Sequence, residues 1–237
     1  MERLDKLLAA TGQWSRKEAK ALVKAGRVQV GGARPKGPED KVAEGTPVTV
    51  DGRPIATEQG VYVMLHKPAG VVSSTQDPRE RTVLDLLPQH LRRRALFPVG
   101  RLDKDTEGLL LITDDGALSH ALMSPNRHVE KEYEAVVDGV LAADAVLRFE
   151  QGMTLRDGTE CKPAKLEILE TEPELRVRVT LKEGKYHQVK RMVAAVGGTV
   201  TALKRLRLGG LWLDKTLAPG EFRELTQEEL EKLTLQT

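Results

Sequence analysis

The chain has 237 residues, of which 40% are apolar and 30% charged, and its net charge is +2. This apolar share excludes a disordered chain, and no apolar run reaches the roughly 18 residues that a transmembrane helix needs. A single cysteine, Cys161, excludes an internal disulfide framework and a cysteine-based zinc site, and no signal-peptide pattern is present at the start. We therefore expect a cytoplasmic protein of one or two domains that does not bind membranes.

The first 53 residues predict a small α+β unit. Leu4, Leu7 and Leu8 have helical spacing, and Ser15 with Glu18 forms a capping box for a second helix that stops at Gly26. Short alternating strands follow at 28–30 and 48–50. A unit of this size is too small to carry much chemistry by itself.

This segment resembles the S4-type RNA-binding domain. The resemblance rests on the Arg-Leu-Asp-Lys opening at 3–6, the Ser-Arg-Lys-Glu-Ala helix start at 15–19 and the Gly-Arg-Val-x-Val-x-Gly exit at 26–32. It implies a helix face that contacts RNA phosphates. The RNA-binding residues expected from it are Arg3, Lys6, Ser15, Arg16, Lys17, Lys20, Lys24 and Arg27.

Residues 54–60 are predicted to be a linker, and residues 61–237 a second, larger domain. Strands are expected at 62–65, 109–113 and 175–181, and a helix at 187–196. A terminal helix capped by Thr226 and Glu229 closes the chain. Because strands and helices do not alternate regularly, the pattern favours an α+β fold with a mixed, mostly antiparallel sheet and flanking helices.

Positive charge is concentrated in two segments. Residues 1–30 hold seven basic and three acidic side chains, and residues 182–207 hold seven basic and one acidic side chain. Two such segments in a nearly neutral chain indicate a polyanionic partner held at two places. For either segment alone, a solvated charged surface is the simpler interpretation.

The densest run of reactive groups is 100–108, which reads Gly-Arg-Leu-Asp-Lys-Asp-Thr-Glu-Gly between two predicted strands. An EF-hand calcium loop is excluded, because Leu111 stands where the ninth position needs an oxygen ligand and no helix is predicted before the loop. A glycosidase pair of Asp103 and Asp105 lacks a separate acid. An acidic loop that merely turns the chain remains the alternative.

The loop and the strand after it, residues 100–116, resemble the active-site signature of RNA pseudouridine synthases. The similarity is to the family of ribosomal small-subunit pseudouridine synthase A. It continues in family order through the segments 66–70, 131–133, 183–192 and 217–221. Together with the S4-like front, it covers almost the whole chain.

The resemblance implies the roles of several residues. Asp103 matches the essential aspartate, either as a nucleophile at C1′ or as a base for the 2′-proton. Lys190 matches its basic partner, with Lys185 and Arg191 as alternatives that are otherwise expected to contact RNA. Tyr133 matches the tyrosine that stacks on uracil, and Arg101 is expected to replace the extruded base or hold its phosphate.

The resulting hypothesis is an isomerase that converts one uridine of small-subunit (16S) ribosomal RNA to pseudouridine, without cofactor or metal. Its partner would be that RNA or a ribosome assembly intermediate, and the protein is expected to be a monomer. The alternatives are a synthase for large-subunit RNA and a non-catalytic ribosome-assembly protein that binds RNA. The hypothesis also predicts that Asp103 and Lys190 lie within about 4 Å of each other.

Overall fold

The computed structural model describes residues 1–11, 13–43, 45–55, 60–92, 95–124 and 126–234. The chain folds into two units, one comprising Met1–Val61 with Leu87–Phe97 and the other Tyr62–Leu86 with Pro98–Thr237. None of the helices formed by the described residues has the length and apolar character needed to cross a bilayer.

The first unit is built from two helices and short antiparallel strands. Its elements are β1 (Glu2–Arg3), α1 (Leu4–Ala10), α2 (Arg16–Lys24), β2 (Val28–Val30), β3 (Lys41–Val42), β4 (Val48–Val50) and β5 (Arg53–Ile55). The predicted capping box is present, since the Ser15 hydroxyl accepts from the Glu18 N–H and the Glu18 carboxylate accepts from the Ser15 N–H. Leu4, Leu8 and Leu22 lie in its core.

The strands of this unit form two small sheets. β2 pairs with β4 and β4 with β5, while β1 pairs with β3. Pro54 and Ile55, predicted to begin a linker, instead lie in β5, because Val48 offers a partner for Ile55 and the Ile55 side chain is buried. Residues 56–59 of the predicted linker lie outside the described residues.

The second unit contains most of the remaining elements. In chain order these are β6 (Tyr62–Lys67), a 3₁₀ turn (Val83–Leu86), α3 (Gln89–Arg92), β7 (Phe97–Pro98), β8 (Glu107–Thr113), α4 (Gly116–Met123), β9 (Lys131–Gly139), α5 (Ala145–Gln151), β10 (Met153–Thr154), β11 (Glu160–Cys161), β12 (Lys165–Glu170), β13 (Leu175–Leu181), α6 (Gln188–Ala195), β14 (Gly198–Leu208), β15 (Leu211–Trp212), β16 (Phe222–Glu224) and α7 (Gln227–Thr234). By its contacts α3 belongs to the first unit.

The main sheet of the second unit has the order β12-β13-β9-β14-β8-β6-β16. Its pairings are antiparallel except for β14 with β8, which is parallel. The sheet is therefore mixed and mostly antiparallel, which confirms the predicted fold class. In β13, Val177, Val179 and Leu181 are buried and alternate with partly exposed residues, as the sequence pattern predicted.

Helices cover the sheet and bury its apolar side chains. Leu118 and Leu122 of α4 and Leu233 of α7 pack in one cluster with Met64 and Leu109 from the central strands. On α6 the buried residues include Val189, Met192 and Val193, which have helical spacing. This packing fixes α6 on the sheet and so fixes the side chains that its N-terminal turn carries.

Candidate active site

The loop before β8 is held by hydrogen bonds at several points. The Ser73 hydroxyl donates to the Leu102 carbonyl at 2.9 Å and accepts from the Leu102 N–H at 3.0 Å. Within the loop, the Thr106 N–H donates to the Asp103 carbonyl at 3.1 Å. The Asp103 side chain is 29% exposed, so this anchored turn presents it at a partly desolvated position.

A buried lysine at the end of β6 also holds this loop through hydrogen bonds. Lys67, at the end of β6, is fully buried, and its ammonium donates to the carbonyls of Pro68 at 2.9 Å, Lys104 at 3.3 Å and Thr106 at 2.8 Å. Burial lowers the pKa of Lys67 to about 8. Sequence reasoning included Lys67 in a motif without assigning it this role.

The parallel pairing of β8 and β14 explains why the loop ends in a glycine, because the backbone of β14 leaves no room for a side chain there. Gly108 pairs with Arg205, and a Cβ at Gly108 would lie 2.2 Å from the Arg205 carbonyl oxygen. The φ of Gly108 is +107°, which side-chain-bearing residues rarely adopt. The Arg205 guanidinium is buried and donates to the Leu109 carbonyl at 2.8 Å, so it ties the two strands together beside the loop.

The first turn of α6 brings Lys190 to the acidic loop. Its ammonium lies 3.5 Å from the Asp103 carboxylate, within the predicted distance. A shorter contact, 2.6 Å, joins the same ammonium to Asp105, which sequence reasoning did not pair with it. The hydrogen bond from Lys190 holds the pKa of the Asp105 carboxyl below its usual range. One cation is thus shared between two carboxylates.

His187 completes the polar side of the site, although the sequence offered no reason to assign it a role. It caps α6 in the left-handed region with φ of 48°, and its Nε2 lies 3.5 Å from Asp103 Oδ1. Its ring stacks on the exposed ring of Tyr186, with centroids 3.8 Å apart. A left-handed backbone is uncommon for histidine, so the surrounding structure must hold it there.

Tyr133 and Asp103 line the same pocket, whose wall is partly polar and partly apolar. Tyr133 is on β9 between Val179 and Arg205 of the neighbouring strands, and it is buried. Arg101 is exposed and also contributes to the pocket wall. The apolar lining residues are Leu102, Leu181, Val189 and Leu203. The structure therefore brings Asp103, Tyr133, Lys190 and Arg101 to one place.

Lys185 lines this pocket and Arg191 follows Lys190 on α6, and both are engaged within the protein. The Lys185 ammonium donates to the Glu160 carbonyl. The Arg191 guanidinium lies 2.5 Å from the Asp157 carboxylate and donates to the Thr159 hydroxyl at 3.3 Å. These contacts fasten the β10–β11 hairpin to α6, and the RNA contacts expected of both residues stay predictions.

The basic residues of the first unit fall into two groups. Several are paired: Arg3 with buried Asp5 at 3.0 Å, Lys6 with Glu2 at 2.8 Å, Lys20 with Asp5 at 3.8 Å, and Arg27 with Asp51 at 2.8 Å. Arg16, Lys17 and Lys24 on α2 are exposed, and none has an ion-pair partner within the described part of the chain. The Ser15 hydroxyl is used by the capping box. Within the described residues, these three exposed cations are therefore available to phosphates, whereas Lys20 on the same helix is paired with Asp5.

Comparisons with known proteins agree along the whole chain. The family model described as RNA pseudouridylate synthase matches residues 61–195, and the S4 domain model matches residues 2–48. An uncharacterized RNA pseudouridine synthase of Bacillus subtilis is 48% identical over 98% of this chain and 98% of its own length. Ribosomal small subunit pseudouridine synthase A of Escherichia coli is 44% identical over 96% of this chain and 98% of its own length.

Solved structures agree as well. A crystal structure of a pseudouridylate synthase, 37% identical in sequence, superposes with a TM-score of 0.69 and covers 98% of this chain and 100% of that one. The synthase model alone covers more than half of the sequence. The chain therefore belongs to the RNA pseudouridine synthase family and carries an S4 domain at its N-terminus.

Proposed function

We propose that this synthase converts one uridine of small-subunit ribosomal RNA to pseudouridine, with Asp103 as the reacting carboxylate. The substrate class is supported by the Escherichia coli relative, which is named for the small ribosomal subunit and is similar over nearly the full chain. The observation that carries the role of Asp103 is its position 3.5 Å from the Lys190 ammonium, in a pocket that Tyr133 also lines.

The reaction is an isomerisation and is balanced without a donor or an oxidant. The C1′–N1 bond of the uridine breaks, the uracil turns, and a C1′–C5 bond forms. The proton on C5 leaves to solvent and N1 gains one. The protein must therefore supply a group that assists bond cleavage at the sugar, and surroundings that retain the freed base while it turns.

Asp103 can assist in two ways. Its carboxylate can attack C1′, or it can remove the 2′-proton, and both roles require the ionised form. The Lys190 ammonium stabilises a negative charge at this position, and partial burial strengthens that interaction relative to water. Lys190 is therefore assigned as the electrostatic partner of Asp103.

The uracil needs an apolar slot with a flat wall. Tyr133 is assigned as the ring that stacks on the base, and the surrounding leucine and valine side chains would exclude water. Arg101, exposed at the pocket, is assigned to the space or phosphate left when the uridine is extruded from the RNA. The S4 domain would hold the same RNA through the exposed face of α2.

Replacement of one carboxylate tests this assignment. Asp103→Asn should abolish tritium release from RNA labelled at C5 of uridine, because an amide can neither attack C1′ nor accept the proton. RNA affinity should change less than about twofold, since the phosphate contacts are untouched. Asp105→Asn is the matched control: it removes a carboxylate from the same turn, and we expect most of the turnover to remain.

Retained turnover in Asp103→Asn, or loss only in Asp105→Asn, would refute the catalytic role of Asp103. The substrate is tested separately by mapping carbodiimide-resistant uridine adducts on ribosomal RNA from cells that lack the gene. We expect one small-subunit signal to disappear. Disappearance of a large-subunit signal instead would identify the other substrate class, and no change at all would favour a non-catalytic RNA binder.

A further inference from the structure

The pocket contains one buried polar group that the protein itself leaves unsatisfied. Thr106 is 1% exposed and lines the pocket, and its hydroxyl has no hydrogen-bond partner among the described residues. Buried hydroxyls in folded proteins are almost always hydrogen-bonded, because desolvation without a partner is costly. An unpaired buried hydroxyl in a reaction pocket therefore indicates that a bound ligand supplies its hydrogen-bond partner.

The position of this hydroxyl is fixed by its backbone. The Thr106 N–H donates to the Asp103 carbonyl at 3.1 Å, and its carbonyl accepts from the Lys67 ammonium at 2.8 Å. Threonine also has few side-chain rotamers. The Thr106 hydroxyl is thus held in the same rigid turn as the Asp103 carboxylate, and its distance from Asp103 cannot change freely.

Among the other polar side chains around the pocket, Gln188 and His187 already have neighbours within the protein. The Gln188 amide donates to Glu183 at 2.6 Å and accepts from the Lys185 N–H at 2.9 Å. His187 faces Asp103 at 3.5 Å. A base that enters this pocket loses hydrogen bonds to water and must replace them. The buried Thr106 hydroxyl offers an unpaired group for this purpose.

We propose that the Thr106 hydroxyl hydrogen-bonds the imide edge of the target uracil. This inference rests on the proposed function, because it requires a uridine in the pocket. Uracil carries two carbonyl acceptors and one N–H donor on that edge, and a hydroxyl can both donate and accept. Thr106 can therefore pair with this edge before and after the base turns against the ribose, because the turn exchanges the two carbonyls and leaves the N–H between them in place.

Two substitutions separate substrate contact from structural support. Thr106→Val keeps the shape and removes the hydroxyl, so kcat/KM should fall about 10- to 100-fold because the uracil edge is left unpaired. The Tm should stay the same or rise, since the unpaired buried hydroxyl is gone. Thr106→Ser keeps the hydroxyl and loses a methyl group, so its kcat/KM should stay within about threefold while its Tm falls.

The opposite changes in activity and stability are the signature of a substrate contact. Wild-type kcat/KM in Thr106→Val would overturn the proposal, and so would a variant that loses activity and Tm together or does not fold. If the wild-type enzyme turned over no ribosomal RNA, the proposed function would fail instead. Calorimetry with uridine 5′-monophosphate then decides about Thr106, because Thr106→Val must bind it more weakly than Thr106→Ser.

Discussion

The two basic segments of the chain have similar composition and different structures. On α2, Arg16, Lys17 and Lys24 are exposed and have no ion-pair partner within the described residues. In 182–207, most cations contact carboxylates or carbonyls of the same unit, with Lys190 at Asp105 and Arg207 at Glu130 as examples. Among the described residues, a group of exposed cations without ion-pair partners is found on α2 of the first segment, although other cations of that segment are paired.

The difference shows what a charge count along a sequence can and cannot establish. The carboxylates that neutralise 182–207 come from distant strands and loops, such as Asp105, Glu130 and Asp157, so the local excess of seven basic over one acidic residue overstates its free positive charge. In this segment most cations make contacts within their own unit, whereas Arg16, Lys17 and Lys24 on α2 remain available to a polyanion.

Removal of Lys190 is the strongest test of this distinction. Lys190→Met should lower single-turnover rates about 100-fold, because Asp103 loses the ammonium that stabilises its charge. RNA affinity should change less than about twofold, and so should the slope of log Kd against log salt. The measurement is tritium release under single-turnover conditions alongside filter binding at several salt concentrations.

Lys190→Arg is the control, because it keeps the charge with a different shape and should recover part of the rate. If Lys190→Met instead lowered affinity and the salt slope while the single-turnover rate survived, Lys190 would be a phosphate contact. The two basic segments would then not differ as described.

Arg207 tests the structural role of the second segment. Its guanidinium lies 3.0 Å from Glu130 and 3.4 Å from Glu132, whose side chain is 10% exposed. Arg207→Met should lower the free energy of unfolding by about 1 to 2 kcal/mol at pH 7, a modest value because Arg178 also pairs with Glu132 and Glu130 is partly screened. The measurement is urea unfolding, with the salt slope of RNA binding unchanged.

The free energy of unfolding lost in Arg207→Met should become smaller as the pH falls. The hydrogen bond from Arg207 lowers the pKa of the Glu130 carboxyl below its usual 4.5, so the stability from this pair is present above that value and is lost as the pH falls through the folded-state pKa. The difference between wild type and Arg207→Met should therefore shrink in acid. A difference that grew below pH 4 would contradict this assignment.

The sequence predicted structural features that depend on neighbouring residues better than contacts between residues far apart in the chain. The capping box at Ser15 and the alternation in β13 are local patterns, and both were predicted from the residues. The pairing of Asp103 with Lys190 was predicted only through the family resemblance. The left-handed His187 and the three carbonyls around Lys67 were missed, because they depend on how α6 and β6 pack against the loop.

The exposed face of α2 gives the smallest effects for single changes. Lys17→Gln or Lys24→Gln should each weaken RNA binding about threefold at moderate salt. In the triple variant with Arg16→Gln, the magnitude of the slope of log Kd against log salt should fall by about 2 to 3, because fewer phosphate contacts form and fewer counterions are released. Stability should stay within about 0.5 kcal/mol, because no described ion pair is lost. The turnover rate at saturating RNA should not change.

Lys182→Gln is the matched control for α2, since it removes an exposed lysine of the other segment that lies 3.6 Å from Glu130. We expect its salt slope to equal that of the wild type. A triple α2 variant with the wild-type slope, or a Lys182→Gln slope that falls as much per residue, would contradict the comparison. A lower slope for Lys182→Gln would mean that this lysine exchanges its carboxylate partner for a phosphate when RNA binds. Such an exchange would cost little, because an exposed ion pair is weak.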